Sequence, residues 1–343
     1  MKFRKVNLQL FANHLNVTTD VRTSGQTYPT YNDLSAEMKT FYDMTLIDEA
    51  SAQLVHDQFG QKRPIPSGSG KTIEFRKFSS LPKATTALTE GVTPDGKRLD
   101  VTSVTATVSQ YGDYITQSDV LELTALDNTI LEATKLLGKQ AGLTLDTVTR
   151  NVLNSGLNVT YCPKVAGGVE TTVESREDLD TTAQLTVKTV QKVVAKLRGQ
   201  NAPTINGKYV AIAHPYVIYS LMRDPEWMNV KSYSDPKDLY EGEVGEIGGV
   251  RFVQTTEAKV WKEGSHAVFS TLFIGEGAYG VTEITGGGLQ TIVKQKGSAG
   301  TADPLDQRSS VGWKAIKTAE LLIPNYIVRV ESCVADFDST PAN

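Results

Sequence analysis

The segment Ser67–Phe78, SGSGKTIEFRKF, contains the GSGKT string of a nucleotide-binding loop, and its interpretation decides the fold. A phosphate-binding loop has the form GxxxxGK[ST] and connects a buried strand to a helix. Here the first glycine position holds Ile65, and the two prolines before the string disfavour a buried strand. After the string, Ile73 and Phe75 alternate with charged residues at the period of a strand. The pattern predicts a glycine-rich loop that enters a β-strand, and it excludes an ATPase or GTPase site.

The composition indicates a globular chain with a limited core. It has 343 residues, a formal net charge of -4 and 39% hydrophobic residues, which predicts about two domains. The mildly acidic balance argues against a dedicated nucleic-acid binder. Cys162 and Cys333 have no motif spacing, so reduced thiols are expected. No segment approaches the roughly 18 apolar residues of a membrane span, and the apolar run at the start is too short for a signal peptide. We therefore expect a soluble protein that is not secreted.

The quoted segment belongs to a predicted two-stranded flap. Strand-like patterns cover residues 71–78 and 101–108, and a Pro94–Asp95–Gly96 turn signal lies between them. An isolated hairpin is marginally stable in water, so the flap must lie on its own body or on a neighbouring subunit. Before the flap, residues 1–32 are polar and aperiodic, which predicts an extended arm, and residues 33–57 have a helical period.

A long helix is predicted to begin at Asp127, a plausible N-cap, and to end near Val152. At 1.5 Å per residue it would be about 40 Å long, enough to cross a domain. Gly138 and Gly142 lie inside it and lower its helix propensity, which predicts a bend.

The remaining chain is predicted to form an α/β region followed by strands. Residues 180–285 alternate helix and strand and predict a compact inserted domain. Its predicted elements are a helix capped by Thr186, a buried strand at 208–213, a helix opening at His214–Pro215, and strands at 249–255 and 267–274. Three later strand candidates, at 289–295, 311–319 and 326–334, are expected to form a narrow sheet packed on the long helix.

No pattern of residues indicates an active site. The four histidines, His14, His56, His214 and His266, form neither an HExxH motif nor a cluster with cysteines, so a metal site is not expected. A GxSxG elbow is also missing. The acidic residues Glu122, Asp127 and Asp146 are expected on solvated helix faces. The sequence predicts no catalytic residue, no cofactor and no metal.

The predicted parts suggest a subunit that interlocks with copies of itself, because the arm and the flap have no core of their own. The flap residues expected to contact a neighbouring subunit are Phe75, Arg76, Phe78, Leu88, Glu90 and Asp95.

Several segments, in this order and spacing, resemble the major capsid proteins of tailed bacteriophages with the Hong Kong-97-type fold, in particular the branch of the phage N-four coat protein. The segments are Gly70–Phe75, Leu88–Gly91, Gln110–Tyr114, Glu246–Phe252, Phe273–Tyr279 and Asp303–Arg308 with Gly312–Lys314. The resemblance covers residues from about 30 to 332.

The resemblance implies an α+β fold with named parts. They are an N-terminal arm (1–32), an N-terminal helix (33–57), an extended E-loop hairpin (58–112), a peripheral domain made of the long spine helix and a narrow antiparallel sheet (113–179 and 286–343), and an inserted α/β axial domain (180–285). Gly68 and Gly70 would permit the E-loop to swing during capsid maturation. We find no match to the Lys–Asn cross-linking residues of some relatives.

The function implied by the resemblance is self-assembly into an icosahedral head shell around double-stranded DNA. The implied partners are copies of itself in hexamers and pentamers and a portal protein, with either a separate scaffolding protein or none, and a decoration protein as a further candidate. Packaged DNA would be contacted by non-specific proximity only, and no membrane is involved. The expected location is the virion capsid, after assembly in the host cytoplasm. The alternatives are an encapsulin-like nanocompartment shell, a hydrolase with an unrecognised site, and a tail or decoration protein.

Overall fold

The computed structural model describes residues 44–50, 54–66, 68, 70–78, 81, 83–88, 90–93, 95–124, 129–227, 246–283, 287–298 and 303–343. The predicted arm lies outside these residues. The chain divides into two compact units. Unit 1 comprises Met1–Leu54, Gln110–Thr144 and Gly287–Ile316, and unit 2 comprises Val55–Ser109, Leu145–Gly286 and Lys317–Asn343.

Both units contain helices and strands. The helices include α1 (residues 44–50), α2 (Asp119–Thr124), α3 (Thr129–Leu153), α4 (Val187–Gly199) and α5 (Pro215–Met222). The strands include β1 (Gln61–Lys62), β2 (Thr72–Phe78), β3 (Val101–Thr107), β4 (Ser109–Ser118), β5 (Val159–Tyr161), β6 (Lys164–Ala166), β7 (Val169–Thr171), β8 (Tyr209–Ala213), β9 (Glu246–Ile247), β10 (Val250–Gln254), β11 (Val260–Glu263), β12 (His266–Ile274), β13 (Tyr279–Glu283), β14 (Gln290–Lys294), β15 (Arg308–Leu321) and β16 (Ile327–Cys333). Helix α3 and strand β15 contribute residues to both units.

Unit 2 is built around a mixed sheet with the strand order β5-β16-β12-β8-β10-β9, and β11 pairs with the first half of β12. Every residue of β8 is buried. Its alternate residues belong to two cores: Tyr209 and Ala211 pack with α4 and α5, whereas Val210 and Ile212 pack with Leu153. Such burial on both faces explains the continuous apolar run YVAIA. The residues predicted to form an α/β domain, 180–285, contribute helices and strands to this unit, but the sheet also includes β5 and β16 from outside that range.

The two helices that cover this sheet begin where the sequence predicts. The Thr186 hydroxyl accepts a hydrogen bond from the Thr189 amide at 3.3 Å and caps α4. His214 caps α5, because its Nδ1 accepts from the Tyr216 amide at 3.2 Å, and Pro215 occupies the first turn. The His214 ring is buried beside Phe269, and this desolvation lowers the pKa of His214 to about 4. His214 thus serves as a helix cap in the core.

The last predicted strand, β16, lies in a different sheet from the one expected. Strand β16 lies between β12 and β5, with Val330 paired to Thr271 on one side and to Thr160 on the other. The expectation that it joins the narrow terminal sheet is wrong. Six of its seven residues are buried, which suits a central strand covered on both faces.

In unit 1, strands β4 and β14 pair with β15. Trp313 on β15 is 3% exposed, as expected of a core residue. Two glycines allow β4 and β15 to approach closely. A Cβ on Gly112 would lie 2.6 Å from the Trp313 carbonyl oxygen, and one on Gly312 would lie 2.7 Å from the Tyr114 Cβ. Strand β4 itself was not predicted, because its first four residues were assigned to the E-loop and the others to the start of the peripheral domain.

Helix α3 confirms the predicted long helix, but the role of Gly138 differs from the prediction. A Cβ on Gly138 would lie 2.9 Å from the Leu46 carbonyl oxygen, so this glycine permits α1 to pack on α3. The first helix was expected to extend to residue 57, whereas residues 54–60 form non-helical structure and turns. Among the described helices, none has the length and apolar character needed to cross a membrane.

Candidate interaction surface

The flap is present as predicted and consists of β2, β3 and the residues between them. The strands are antiparallel, and their register runs from Thr72 opposite Thr107 to Phe78 opposite Val101. The Val108 amide donates to the Lys71 carbonyl at 3.0 Å and continues the ladder toward the base. The GSGKT string is thus followed by a strand, as the alternating pattern predicts.

The base of the flap is buried against its own unit. Phe75 is 4% exposed, and Ala106 and Val108 are also buried. The Phe75 ring lies over Gly280 of β13, where a Cβ would come within 2.8 Å of two ring carbons. The Arg63 guanidinium lies 5.8 Å from the centre of the same ring. The absence of a side chain at Gly280 therefore provides the space for Phe75.

The tip of the flap, residues 81–100, is exposed at every position that the structure describes. Large apolar side chains are among these residues: Leu81, Leu88, Val92 and Leu99 are all more than half exposed. Leu88 is the most exposed of them, at 77%. Four exposed large apolar side chains on one segment make the tip a candidate surface for another protein.

The predicted contact residues therefore fall into three groups. Arg76, Leu88, Glu90 and Asp95 are exposed. Phe75 is buried within the chain, so its side chain is not available to a neighbour, and we no longer assign it to the contact surface. The side chain of Phe78 lies outside the described part of the chain.

The two predicted hinge glycines have backbone conformations that other residues rarely adopt. Gly68 has φ = 84° and Gly70 has φ = 90°. No atom lies within 4 Å of a Cβ built on either residue, so the conformation alone requires glycine there. Gly96, at the flap tip, has the same free space without a left-handed φ.

The chain segment that enters the flap is anchored by a buried polar pair. His56 and Asp146 are both fully buried, and the His56 Nδ1 lies 2.6 Å from Asp146 Oδ2. The other oxygen of Asp146 accepts from the His56 amide at 2.7 Å. The hydroxyl of Tyr279 donates to the His56 carbonyl, and burial raises the pKa of this hydroxyl. The expectation that Asp146 is a solvated surface residue is therefore wrong.

Further contacts extend this anchor along the entering segment. Gln61 and Lys62 of β1 pair in parallel with Gly280 and Val281 of β13. The Arg63 amide donates to the Val281 carbonyl at 3.1 Å. Sequence reasoning missed the anchor, because its partners are about 90 residues or more apart and no local motif marks them.

In the part of the chain that the structure describes, no group of three or more His, Cys, Asp or Glu side chains could hold a metal ion. Cys162 and Cys333 are both buried as free thiols, and burial raises the pKa of each. Neither thiol has the electropositive, accessible surroundings of a reactive cysteine.

Comparisons with known proteins agree with this architecture. The sequence model of a family described as phage capsid protein matches residues 3–295. No curated protein matches the chain.

Solved structures of phage capsids share the fold. The capsid protein of cyanophage P-SCSP1u has a TM-score of 0.62 at 13% identity and covers 79% of this chain and 86% of its own. That of Ralstonia phage GP4 has a TM-score of 0.62 at 12% identity, covering 82% and 88%. That of cyanophage Pam1 has a TM-score of 0.62 at 13% identity, covering 92% and 98%. At such identities the likeness establishes the fold alone.

Proposed function

The chain belongs to the phage capsid protein family, and on this premise we propose that its flap interlocks neighbouring copies in an icosahedral head shell around double-stranded DNA. Membership makes it a structural protein of the virion. The observation that carries the finer proposal is the exposure of the whole described flap tip, with Leu88 77% exposed.

Burial of the tip on a second copy supplies a driving force for assembly. Complete burial of one exposed leucine or valine is worth about 1.5–3 kcal/mol before association costs. Four such side chains lie on the tip: Leu81, Leu88, Val92 and Leu99. A symmetric shell repeats the same contact at every subunit, so a contact that is weak between two copies closes a shell when it is repeated.

Gly68 and Gly70 lie between two residues that hold the flap on unit 2, His56 and Phe75. We place the hinge of a maturation movement at these glycines, so a swing of the flap requires Phe75 to leave its position over Gly280. Portal, scaffolding and decoration proteins stay predicted partners.

A photo-cross-linking experiment tests the proposed contact. Leu88→Cys introduces an accessible thiol for a benzophenone label, because both native cysteines are buried. Irradiation of assembled particles should join one copy to another, and irradiation of unassembled subunits should not. Leu157→Cys, at a 94% exposed leucine outside the flap, is the matched control and should give less cross-linking. Cross-links from Leu88→Cys that stay within one chain in assembled particles would show that the tip does not reach a neighbour.

A further inference from the structure

A polar cleft of about 160 Å3 opens beside β5, the edge strand of the large sheet in unit 2. Strand β5, helix α4 and the β6–β7 hairpin bound it. The polar groups that line it belong to Thr160, Tyr161, Glu170, Thr172, Lys188 and Lys192. Nothing in the assembly proposal uses this cleft.

Three lysines follow one another along one face of α4, and the first two of them line the cleft. Lys188, Lys192 and Lys196 are spaced by four residues, which places them on the same side of the helix. The α4 sequence, VKTVQKVVAKLRG, contains no acidic residue to offset them. Like charges at this spacing destabilise a helix, and an anion in the cleft would relieve that repulsion.

The middle lysine, Lys192, lacks a carboxylate partner among the residues that the structure describes, whereas both of its neighbours have polar partners. Lys188 donates to the two carboxylate oxygens of Glu170 at 2.8 and 2.7 Å. Lys196 donates to the Thr160 hydroxyl at 3.2 Å, and burial, followed by the charge of Lys192, lowers the pKa of Lys196. Within the described residues, no carboxylate forms an ion pair with Lys192, which is exposed and lines the cleft.

We infer that this cleft binds a phosphate group, held by the ammonium groups of Lys192 and Lys188 and by the hydroxyls of Thr160 and Thr172. Lysine is a common point-charge binder of phosphate, and hydroxyl donors complete the coordination of its oxygens. The cleft has the volume of about five water molecules, which accommodates one phosphate group with some of its hydration. The group can come from free inorganic phosphate or from the DNA backbone, since both present the same anionic oxygens.

Calorimetric titration of inorganic phosphate into the full chain tests the site. The ionic strength is held constant with sodium chloride, because screening alone would weaken exposed charge contacts. Lys192→Met should weaken phosphate binding about tenfold. Lys139→Met, at an exposed helical lysine in unit 1, is the matched control and should leave the affinity unchanged. Glu170→Gln should tighten binding, since it frees Lys188 from its carboxylate partner.

The Lys139→Met control separates binding in the cleft from a general effect of charge, because it removes the same positive charge outside the cleft. Equal affinity of Lys192→Met and the unchanged chain would overturn the inference, as would equal weakening by Lys192→Met and Lys139→Met. A short DNA duplex added to the phosphate-loaded chain then identifies the source. Displacement of phosphate by the duplex assigns the cleft to backbone phosphates, and retention assigns it to the free ion.

Discussion

Lys317 and Asp57 form a buried ion pair that joins the segment entering the flap to strand β15. Their side chains are 7% and 11% exposed. The Thr149 hydroxyl donates to the other Asp57 oxygen at 2.5 Å, and Lys317 also donates to the Leu145 carbonyl at 3.1 Å. With the His56–Asp146 pair, this contact fixes the flap entry on α3 through buried charged and polar groups.

Removal of one partner of this pair should destabilise the chain strongly. Asp57→Ala leaves the Lys317 ammonium buried without its carboxylate, which costs about 3–5 kcal/mol of the free energy of unfolding. The cost is measured by urea denaturation of the unassembled subunit. The double variant Asp57→Ala with Lys317→Met removes the unpaired charge and should recover part of the loss. Additive losses in the double variant would contradict the coupling of the two residues.

Substitution of the hinge glycines by alanine should lower stability, because alanine strains the backbone conformation found there. Gly68→Ala and Gly70→Ala force a side chain into a left-handed φ, at a cost of about 1–2 kcal/mol each. Particle yield and the transition from immature to mature shells should both fall. Gly96→Ala, where the same free space is combined with an ordinary φ, is the matched control and should assemble normally. Normal assembly and maturation of the Gly68→Ala and Gly70→Ala variants would count against a hinge at this position.

Alanine at Gly280 should displace the base of the flap. Its Cβ would lie 2.8 Å from the Phe75 ring, and overpacking of this kind costs about 1–3 kcal/mol. Proteolysis in the flap should become faster. Phe75→Leu in the Gly280→Ala background makes room and should restore part of the stability, although Phe75→Leu alone is destabilising. If Phe75→Leu lowers the free energy of unfolding by the same amount with Gly280 and with Ala at that position, the two residues are not packed as described.

His214 should make the free energy of unfolding depend on pH. In the unfolded chain the His214 imidazole takes up a proton near pH 6.5, whereas in the folded chain the buried ring does so only near pH 4. Stability contributed by this group is therefore complete above pH 6.5 and is lost as the pH falls toward 4, by up to about 3 kcal/mol. His214→Asn keeps a capping oxygen and removes the titration. A wild-type slope between pH 6.5 and 5 that persists in His214→Asn would assign it to other groups.

Elements with a long regular period could be predicted from the sequence. The helix Thr129–Leu153 repeats apolar residues every three or four positions, and the flap strands alternate over seven residues each. Strands β5 and β6–β7 were missed, because three residues are too few to establish a period. For β16, the apolar pattern predicts a strand but contains no information on which distant strand becomes its neighbour.

The anchor of the flap could not be predicted for a related reason. Asp146 lies on a helix, where an acidic residue is usually solvated, and only the distant His56 changes its environment. When only the neighbouring sequence is considered, glycine is unfavourable at position 138, inside a helix, and neutral at position 280. Each is required by an atom of a residue far away in the chain, Leu46 for Gly138 and Phe75 for Gly280. The pairing of distant polar side chains and the close approach of distant backbone segments depend on the tertiary structure, whereas the exposed flap tip follows from local composition.

The most direct test of interlocking through the flap compares two chains by light scattering and negative-stain microscopy. One is the full chain, and in the other a short Gly-Ser turn replaces residues 81–100, all exposed where described. The account predicts closed shells, or free hexamers and pentamers, from the full chain. The shortened chain should remain unassembled with an unchanged melting temperature. A full chain that stays monomeric, or a shortened chain that builds the same shells, would contradict the account.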